Sequence, residues 1–380
     1  MHINYWCPYL TNIATIKSVI RSAKSIQKYS KKTSKEEVII LNSCGEWNFL
    51  KNNLSQIKIK NLLPFNFFNY IPKEGLIQSR LSFIIIFITN FFPLLFHVKK
   101  SKPKFLVVHL LTLLPMILSP FLSNYTKIIL RVSGLPELNF FRKFIWKNFS
   151  KYIYIVTAPT KITYDILINS GIFDKKKVRL LRDPVIECRE IEEKKKYELD
   201  TEIKENEFYL SIGRLTKQKN FSFLIKVFAK YVNDLKINKL LIIGSGEEEE
   251  NLRNLIKKYK MEDNIYLLGF KSNVYNYINK SEAIISVAEY EDPGFVLIES
   301  AYLKKKIITS LVKNGPLEMK NHGNICYFFE YNSEEGFFKA IKESEKTNKY
   351  IILNAMKYSK KFSIFSHYKS FEKILYETLN

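Results

Sequence analysis

The chain has 380 residues, 46% of them hydrophobic and 26% charged, with 60 Lys and Arg against 37 Asp and Glu for a net charge of +23. Such a length accommodates two domains with separate cores, and the composition excludes an intrinsically disordered chain. The positive balance favours anionic partners, whether nucleic acid, an acidic membrane leaflet or phosphorylated ligands, but Lys, Ile and Asn all run high, so charge alone selects none of these.

From the amino terminus, "INYWC" predicts a strand and "TIKSVIRSAKSIQKYSKK" an amphipathic helix, with Ile16, Val19, Ile20, Ala23 and Ile26 at helical spacing. Lys17, Arg21, Lys24 and Lys28 make a second, basic stripe on that helix. Further strands are expected at "EEVIILN", "FLVVH", "KIILRV", "YIYIVT" and "VRLLRD". Two apolar stretches, 82–98 and 105–122, are near the lower length limit for a bilayer span. Each contains a proline and polar residues, and only "KKSKPK" separates them, so buried strand and helix with some surface insertion is expected instead. No secretory signal is expected at "MHINYWCPYL". The four cysteines, Cys7, Cys44, Cys188 and Cys326, have no metal-ligand spacing and read as reduced thiols.

Residues 187–206, "ECREIEEKKKYELDTEIKEN", are charged and poor in large apolar residues, which suggests the join between domains 1–186 and 207–360. The alternation of strands and helices then resumes with "FYLSIG", "KLLIIG", "NIYLLG", "AIISVA", "KIITS" and "ICYFF". The segment 361–380 ends in one more amphipathic pattern, a helix expected to pack back toward the first domain. This is the order of a doubly wound α/β fold, whose ligands bind at the carboxyl ends of the strands.

Three such strand ends carry informative residues. At "SIGRLTKQKNFSFLI", Gly213 is followed by Arg214 and Lys219, two cations able to clamp a diphosphate. At "LLIIGSGEEEENL", Gly244 and Gly246 permit a sharp turn and a close backbone approach. At "EDPGFVLIES", Asp292 fits a helix N-cap and Pro293 the first helical position. The amides of Gly294, Phe295 and Val296 would then lie at the positive end of the dipole, where phosphate binds. Glu291 precedes this helix and Glu299 lies within it, roughly 10 Å along the axis, so the carboxylates flank a ligand lying across the helix end. Taken singly, each feature also fits ordinary surface charge or a turn.

In order, "GRLTKQKN", "IIGSGEEEENL", "IYLLGF" and "EYEDPGFVLIESA", followed by "IITSLVKNGPLE" with Gly315 and Glu318, resemble the donor-binding domain of family 4 retaining glycosyltransferases. The resemblance covers 207 to about 330 and implies a GT-B fold, two Rossmann-like doubly wound domains facing across a cleft. It implies an enzyme of the hexosyltransferase type with a nucleotide-sugar donor and a glycan or lipid-linked acceptor, of the kind acting in surface-polysaccharide assembly. By the same resemblance Arg214 and Lys219 bind the diphosphate, Glu291 the transferred sugar and Glu299 the ribose, with Gly213, Gly244, Gly294, Phe295 and Val296 lining the donor site. His109 stands where the family often places a histidine that contacts the sugar. The chain departs from the family at "PYLTNIAT", where Thr11 and Asn12 replace a Gly-Gly loop, and at "LRDPVIE", which replaces an Asn-Gly.

No Asp-x-Asp occurs, so neither a metal nor another cofactor is expected. Localisation is expected to be cytoplasmic, and the first helix with "FRKFIWKNFSK" is expected to form a basic, aromatic face that either meets an anionic inner membrane leaflet or is simply solvated. The alternatives are a sugar-nucleotide epimerase of the same fold and a basic nucleic-acid-binding protein. No nucleic-acid module is recognisable, so nucleic acid is not an expected partner.

Overall fold

Short runs of Ile, Val and Leu bounded by polar turns form strands buried on both faces, as parallel strands covered by helices must be. The computed structural model describes residues 2–11, 14–30, 37–53, 57–73, 76–132, 139–200, 204–346 and 348–377. Within them lie two all-parallel sheets, one of seven strands and one of six, each in its own compact unit.

Unit 1 comprises Met1–Pro184 and Ile364–Asn380. Its strands are β1 (His2–Trp6), β2 (Glu37–Asn42), β3 (Lys58–Asn61), β4 (Phe105–Val108), β5 (Lys127–Arg131), β6 (Ile155–Ala158) and β7 (Val178–Leu180), in the order β3-β2-β1-β4-β5-β6-β7. Edge strand β3, "KIKN", was not expected from sequence: it is largely solvent-facing and lacks an apolar run. Helix α1 (Ala14–Tyr29) packs on one face of the sheet through Ile16, Val19, Ala23 and Ile26, together with the C-terminal helix Ile364–Tyr376. Ser22 Oγ meets His367 Nε2 at 2.8 Å, fixing that helix against α1. The predicted basic stripe on α1 is therefore broken: Lys17, Lys24 and Lys28 face solvent, but Arg21 is buried.

Helices α2 (Leu76–Ser101), α3 (Leu113–Leu122), α4 (Phe140–Phe149) and α5 (Lys161–Asn169) share the core on the other face of the sheet, with Leu94, Val98, Leu118, Trp146 and Leu167 among its members. The stretch 82–98 lies wholly inside α2 and is not buried throughout, because the helix has an exposed apolar side. Among the described residues α2 is long and apolar enough to cross a bilayer by length and composition.

Unit 2, Val185–Ser363, holds β8 (Tyr209–Ile212), β9 (Leu240–Ile243), β10 (Ile265–Leu267), β11 (Ala283–Ser286), β12 (Lys306–Leu311) and β13 (Tyr327–Glu330), ordered β10-β9-β8-β11-β12-β13. Its helices are α6 (Cys188–Lys194), α7 (Phe221–Tyr231), α8 (Glu249–Lys258), α9 (Tyr275–Lys280), α10 (Phe295–Tyr302), α11 (Gly315–Asn321), α12 (Glu334–Glu345) and α13 (Lys349–Ser359). The charged stretch 187–206 carries α6, whose Ile191 is buried in the core of this unit.

Strand order decides where ligands can sit. Each sheet reverses direction beside its first strand, between β1 and β4 in unit 1 and between β8 and β11 in unit 2. Loops leaving adjacent strands at such a switch point diverge to opposite faces and leave a crevice between them.

Candidate functional site

In unit 2 the loops after β8, β9 and β11 converge at the switch point. Gly213 N–H donates to the Ile243 carbonyl at 3.0 Å, Leu215 N–H to Ser245 and Glu248 N–H to Leu215, each at 2.9 Å. These bonds bring the first two loops so close that glycine is required. A Cβ on Gly244 would stand 1.8 Å from the Gly213 carbonyl oxygen, and one on Gly246 would stand 2.4 Å from that of Leu215. The glycines read from the sequence as a turn are thus sites of loop-to-loop contact.

The loop after β8 is also tied to the one after β11. Glu289 N–H donates to the Gln218 carbonyl at 2.9 Å, and Gln218 Nε2 to the Tyr290 carbonyl at 3.0 Å. Lys219 lays its methylene stem over Gly213, with Cδ and Cε 3.2 Å from where a Cβ would lie, and its ammonium pairs with Glu291. Both side chains are largely but not fully buried, at 19% and 15% exposure, which leaves an anionic or hydroxylated ligand a way in. Arg214, on the same loop, is exposed and makes no ion pair among the described residues.

The start of α10 differs from the sequence expectation. Its N-cap is Gly294 at φ 86°, not Asp292, and Pro293 lies outside the helix. Asp292 points away, its carboxylate accepting from Asn314 Nδ2 at 2.8 Å and from the Tyr290 hydroxyl at 3.3 Å. The positive φ explains the change, because glycine reaches that conformation without the strain a β-carbon brings. The first turn of α10 therefore opens with Phe295 and Val296, whose amides have no partner inside the helix. Glu299 falls in the second turn and is only 3% exposed, where Tyr275 donates to it at 3.0 Å. It is a buried, oriented acceptor and not a surface carboxylate.

A further loop, after β12, closes on this one. Gly315 N–H donates to the Glu291 carbonyl at 2.9 Å, and a Cβ on Gly315 would stand 2.1 Å from the Pro293 oxygen. Asn314 and Gly315 thus fix the backbone that carries Glu291. Glu318, like Glu299, is buried. The structure brings Gly213, Gly244, Lys219 and Glu291 into contact across these loops and sets Gly294, Phe295, Val296 and Glu299 at the adjoining helix. Sequence reasoning missed Gln218, Tyr275 and Asn314, polar residues whose use depends on partners far along the chain.

His109 belongs to unit 1, at that unit's own switch point. It follows β4, and its N–H donates to the Trp6 carbonyl of neighbouring β1 at 2.9 Å. The imidazole is buried, 6.0 Å between centroids from the Tyr5 ring, and its Nδ1 has no hydrogen-bond partner among the described residues. Burial, reinforced by the Arg131 charge, lowers its pKa from 6.5 to about 3, so the ring is neutral at pH 7. Asn12, in the loop after β1, lies outside the described residues.

Beside His109 lies a buried ion pair that sequence reasoning did not single out. Arg131 Nη2 meets Asp183 Oδ1 at 2.6 Å, and Ser18 Oγ donates to the same oxygen at 2.6 Å. Burial by itself would raise the Asp183 pKa, but the Arg131 guanidinium and the Ser18 hydroxyl hold it below the ordinary carboxylate value. The available signal was a lone arginine ending the apolar run "KIIL". Asp183 belongs to the "LRDP" that departs from the family pattern.

His367 is likewise buried, and desolvation lowers its pKa to about 4. Below 6.5 the unfolded chain takes up protons that folded His109 and His367 refuse, so stability falls as the pH drops from 6.5 toward 4. Each ring contributes a slope of up to about 1.4 kcal/mol per pH unit. Urea melts of parent and His109→Gln at pH 7, 6 and 5 check this: the parent loses stability with acid and the variant loses less, whereas identical slopes would contradict it.

Residues 192–361 match the family Glycosyl transferases group 1. The chain is 28% identical over 240 residues to an uncharacterized glycosyltransferase of Methanocaldococcus jannaschii, across 58% of this chain and 59% of the relative. It is 27% identical over 238 residues to N-acetylgalactosamine-N,N'-diacetylbacillosaminyl-diphospho-undecaprenol 4-alpha-N-acetylgalactosaminyltransferase of Campylobacter jejuni, across 60% of this chain and 63% of the relative. The matches thus span about three fifths of these relatives' length. Among solved structures, a glycosyltransferase of Rickettsia africae superposes with a TM-score of 0.75 at 17% identity, over 99% of each chain. Anabaena HepE in complex with UDP and glucose superposes with a TM-score of 0.70 at 12% identity, also over 99% of each chain. At such identities the superpositions establish the fold. Residues 192–361 are thus similar to the glycosyl transferases group 1, and the chain has the GT-B fold of two Rossmann-like domains, each built on a parallel sheet.

Proposed function

We propose that the protein is a retaining glycosyltransferase of the hexosyltransferase type, moving a sugar from a nucleotide-diphosphate sugar to a hydroxyl of a glycan or lipid-linked acceptor. The observation that carries this reading is the Lys219–Glu291 ion pair over Gly213, beside the opening turn of α10. A cation and unpaired helix amides suit a diphosphate, and a carboxylate next to them suits sugar hydroxyls. The donor class is supported by the neighbour bound to UDP and glucose, and the acceptor class by the Campylobacter relative, named for a diphospho-undecaprenol-linked substrate.

In this reading Arg214 and Lys219 hold the diphosphate, Glu291 the transferred sugar and Glu299 the ribose. The bond from the anomeric carbon to the diphosphate breaks as a bond to the acceptor oxygen forms on the same face. The acceptor's proton passes to the departing phosphate oxygen, so no protein nucleophile is needed. Negative charge growing on the diphosphate is met by the two cations and the amides of Phe295 and Val296. No metal enters the scheme, since these groups supply the countercharge and the chain has no Asp-x-Asp. A neutral imidazole can donate to or accept from a sugar hydroxyl, which is the role proposed for His109. The compartment is read as the cytoplasm, where four unpaired cysteines stay reduced.

Incubation with a panel of nucleotide sugars, alone and with lipid-linked acceptors, tests the reading. The expected product is a new glycoside with the donor's anomeric configuration, formed only when acceptor is present. Epimerised donor in the absence of acceptor, or a product of inverted configuration, would overturn it.

A further inference from the structure

Helix α2 is apolar on two sides and only one of them is covered by the described residues. Ser82, Ile86, Asn90, Leu94 and Val98, spaced four apart, are fully buried in unit 1. Ile77, Leu81, Ile84, Ile88, Phe92 and Phe96 form a second ladder, each at least 53% exposed. From Ile77 to Phe96 this ladder runs about 29 Å along the helix. It does not stand alone, because α3 packs against both α2 and α4. These neighbours add exposed Phe121 on α3 and Phe140, Phe141 and Phe144 on α4, the last three at 88%, 64% and 60%. An exposed apolar surface of this kind marks an interaction site.

The charges around the surface identify its occupant. Residues 75–164 contain 12 Lys and Arg, of which Arg131 is buried in its ion pair, and a single carboxylate, Glu137. Exposed Arg80 and Lys100 lie at the two ends of the ladder, and exposed Arg142, Lys143 and Lys147 are interleaved with the phenylalanines of α4. A second copy of the chain would bring the same cations against these, and like charges repel. Anionic headgroups above an acyl boundary complement both features at once.

We infer that the outer side of α2, continued by α3 and α4, docks flat on an anionic lipid bilayer, with the Ile and Phe ladder entering the headgroup–acyl boundary. The helix lies on the membrane and does not span it. Its other ladder is packed in the core, where Ser82 Oγ donates to the Pro72 carbonyl at 2.6 Å and Asn90 Nδ2 to the Ile86 carbonyl at 3.0 Å. Lipid cannot surround α2 without exposing that core. The surface is independent of the transferase reading, and it moves the expected membrane contact away from α1.

Co-sedimentation of the full chain with phosphatidylglycerol and with phosphatidylcholine vesicles tests the inference. The parent binds the anionic vesicles, and added salt weakens the binding. The variant Ile84→Ser/Ile88→Ser/Phe92→Ser changes only exposed positions, so it keeps its melting temperature but loses at least about tenfold in partitioning. Lys99→Glu/Lys100→Glu lowers binding to the anionic vesicles alone. Three results would overturn the inference: no binding to phosphatidylglycerol, equal binding of parent and serine variant, or a dimer in solution that the serine variant abolishes.

Discussion

Lys219→Ala is expected to lower sugar transfer by at least about a hundredfold, the scale reported for loss of one electrostatic donor in a polar active site. Lys219 is the cation that the fold binds most closely to the site, its stem over Gly213 and its ammonium on Glu291. Removing it leaves Glu291 without a partner for its charge in a largely buried position, at a stability cost of about 1–3 kcal/mol. Stability and turnover must therefore be separated. The double variant Lys219→Ala/Glu291→Ala should recover stability, because no unpaired carboxylate remains, and should stay inactive. Turnover close to the parent's in the folded single variant would remove Lys219 from the mechanism.

Arg131→Met is expected to destabilise unit 1 by about 3–5 kcal/mol, the range for breaking a buried ion pair from one side. The reason is Asp183, which keeps its Ser18 hydrogen bond but loses the guanidinium that offsets its burial. Arg131 also donates to the Leu181 carbonyl, so β5 loses its link to the end of β7. Arg131→Met/Asp183→Leu should regain most of the loss, since a buried pair is often no better than an apolar replacement. Urea unfolding of both single variants and the double variant measures the coupling. A loss below about 1 kcal/mol in Arg131→Met would show that the pair is not structural.

How much of this could be read in advance depended on whether a residue announces itself locally. Buried strands did, because an unbroken run such as "KLLII" has few alternatives beside a glycine turn. Edge strand β3 did not, since "KIKN" has neither length nor apolar content and depends on β2 for its pairing. The site motifs were legible because phosphate and sugar binding demand particular residue types at strand ends, and strand order then placed those ends together. The helix cap was misread because Asp-Pro-Gly satisfies the cap rule at two registers. Only the Asn314 hydrogen bond to Asp292 and the close approach of Gly315 select the second. The exposure of α2 was hidden for a related reason: a helix apolar all round reads as buried, and only packing shows which side the sheet covers.

Titration calorimetry of the intact chain with nucleoside diphosphates and the matching monophosphates, covering each base, tests the central claim most directly. One base series should bind, with the diphosphate at least about tenfold tighter than the monophosphate, and Lys219→Ala should erase that difference. Absence of binding across the panel, or a preference for the diphosphate that survives Lys219→Ala, would contradict the site.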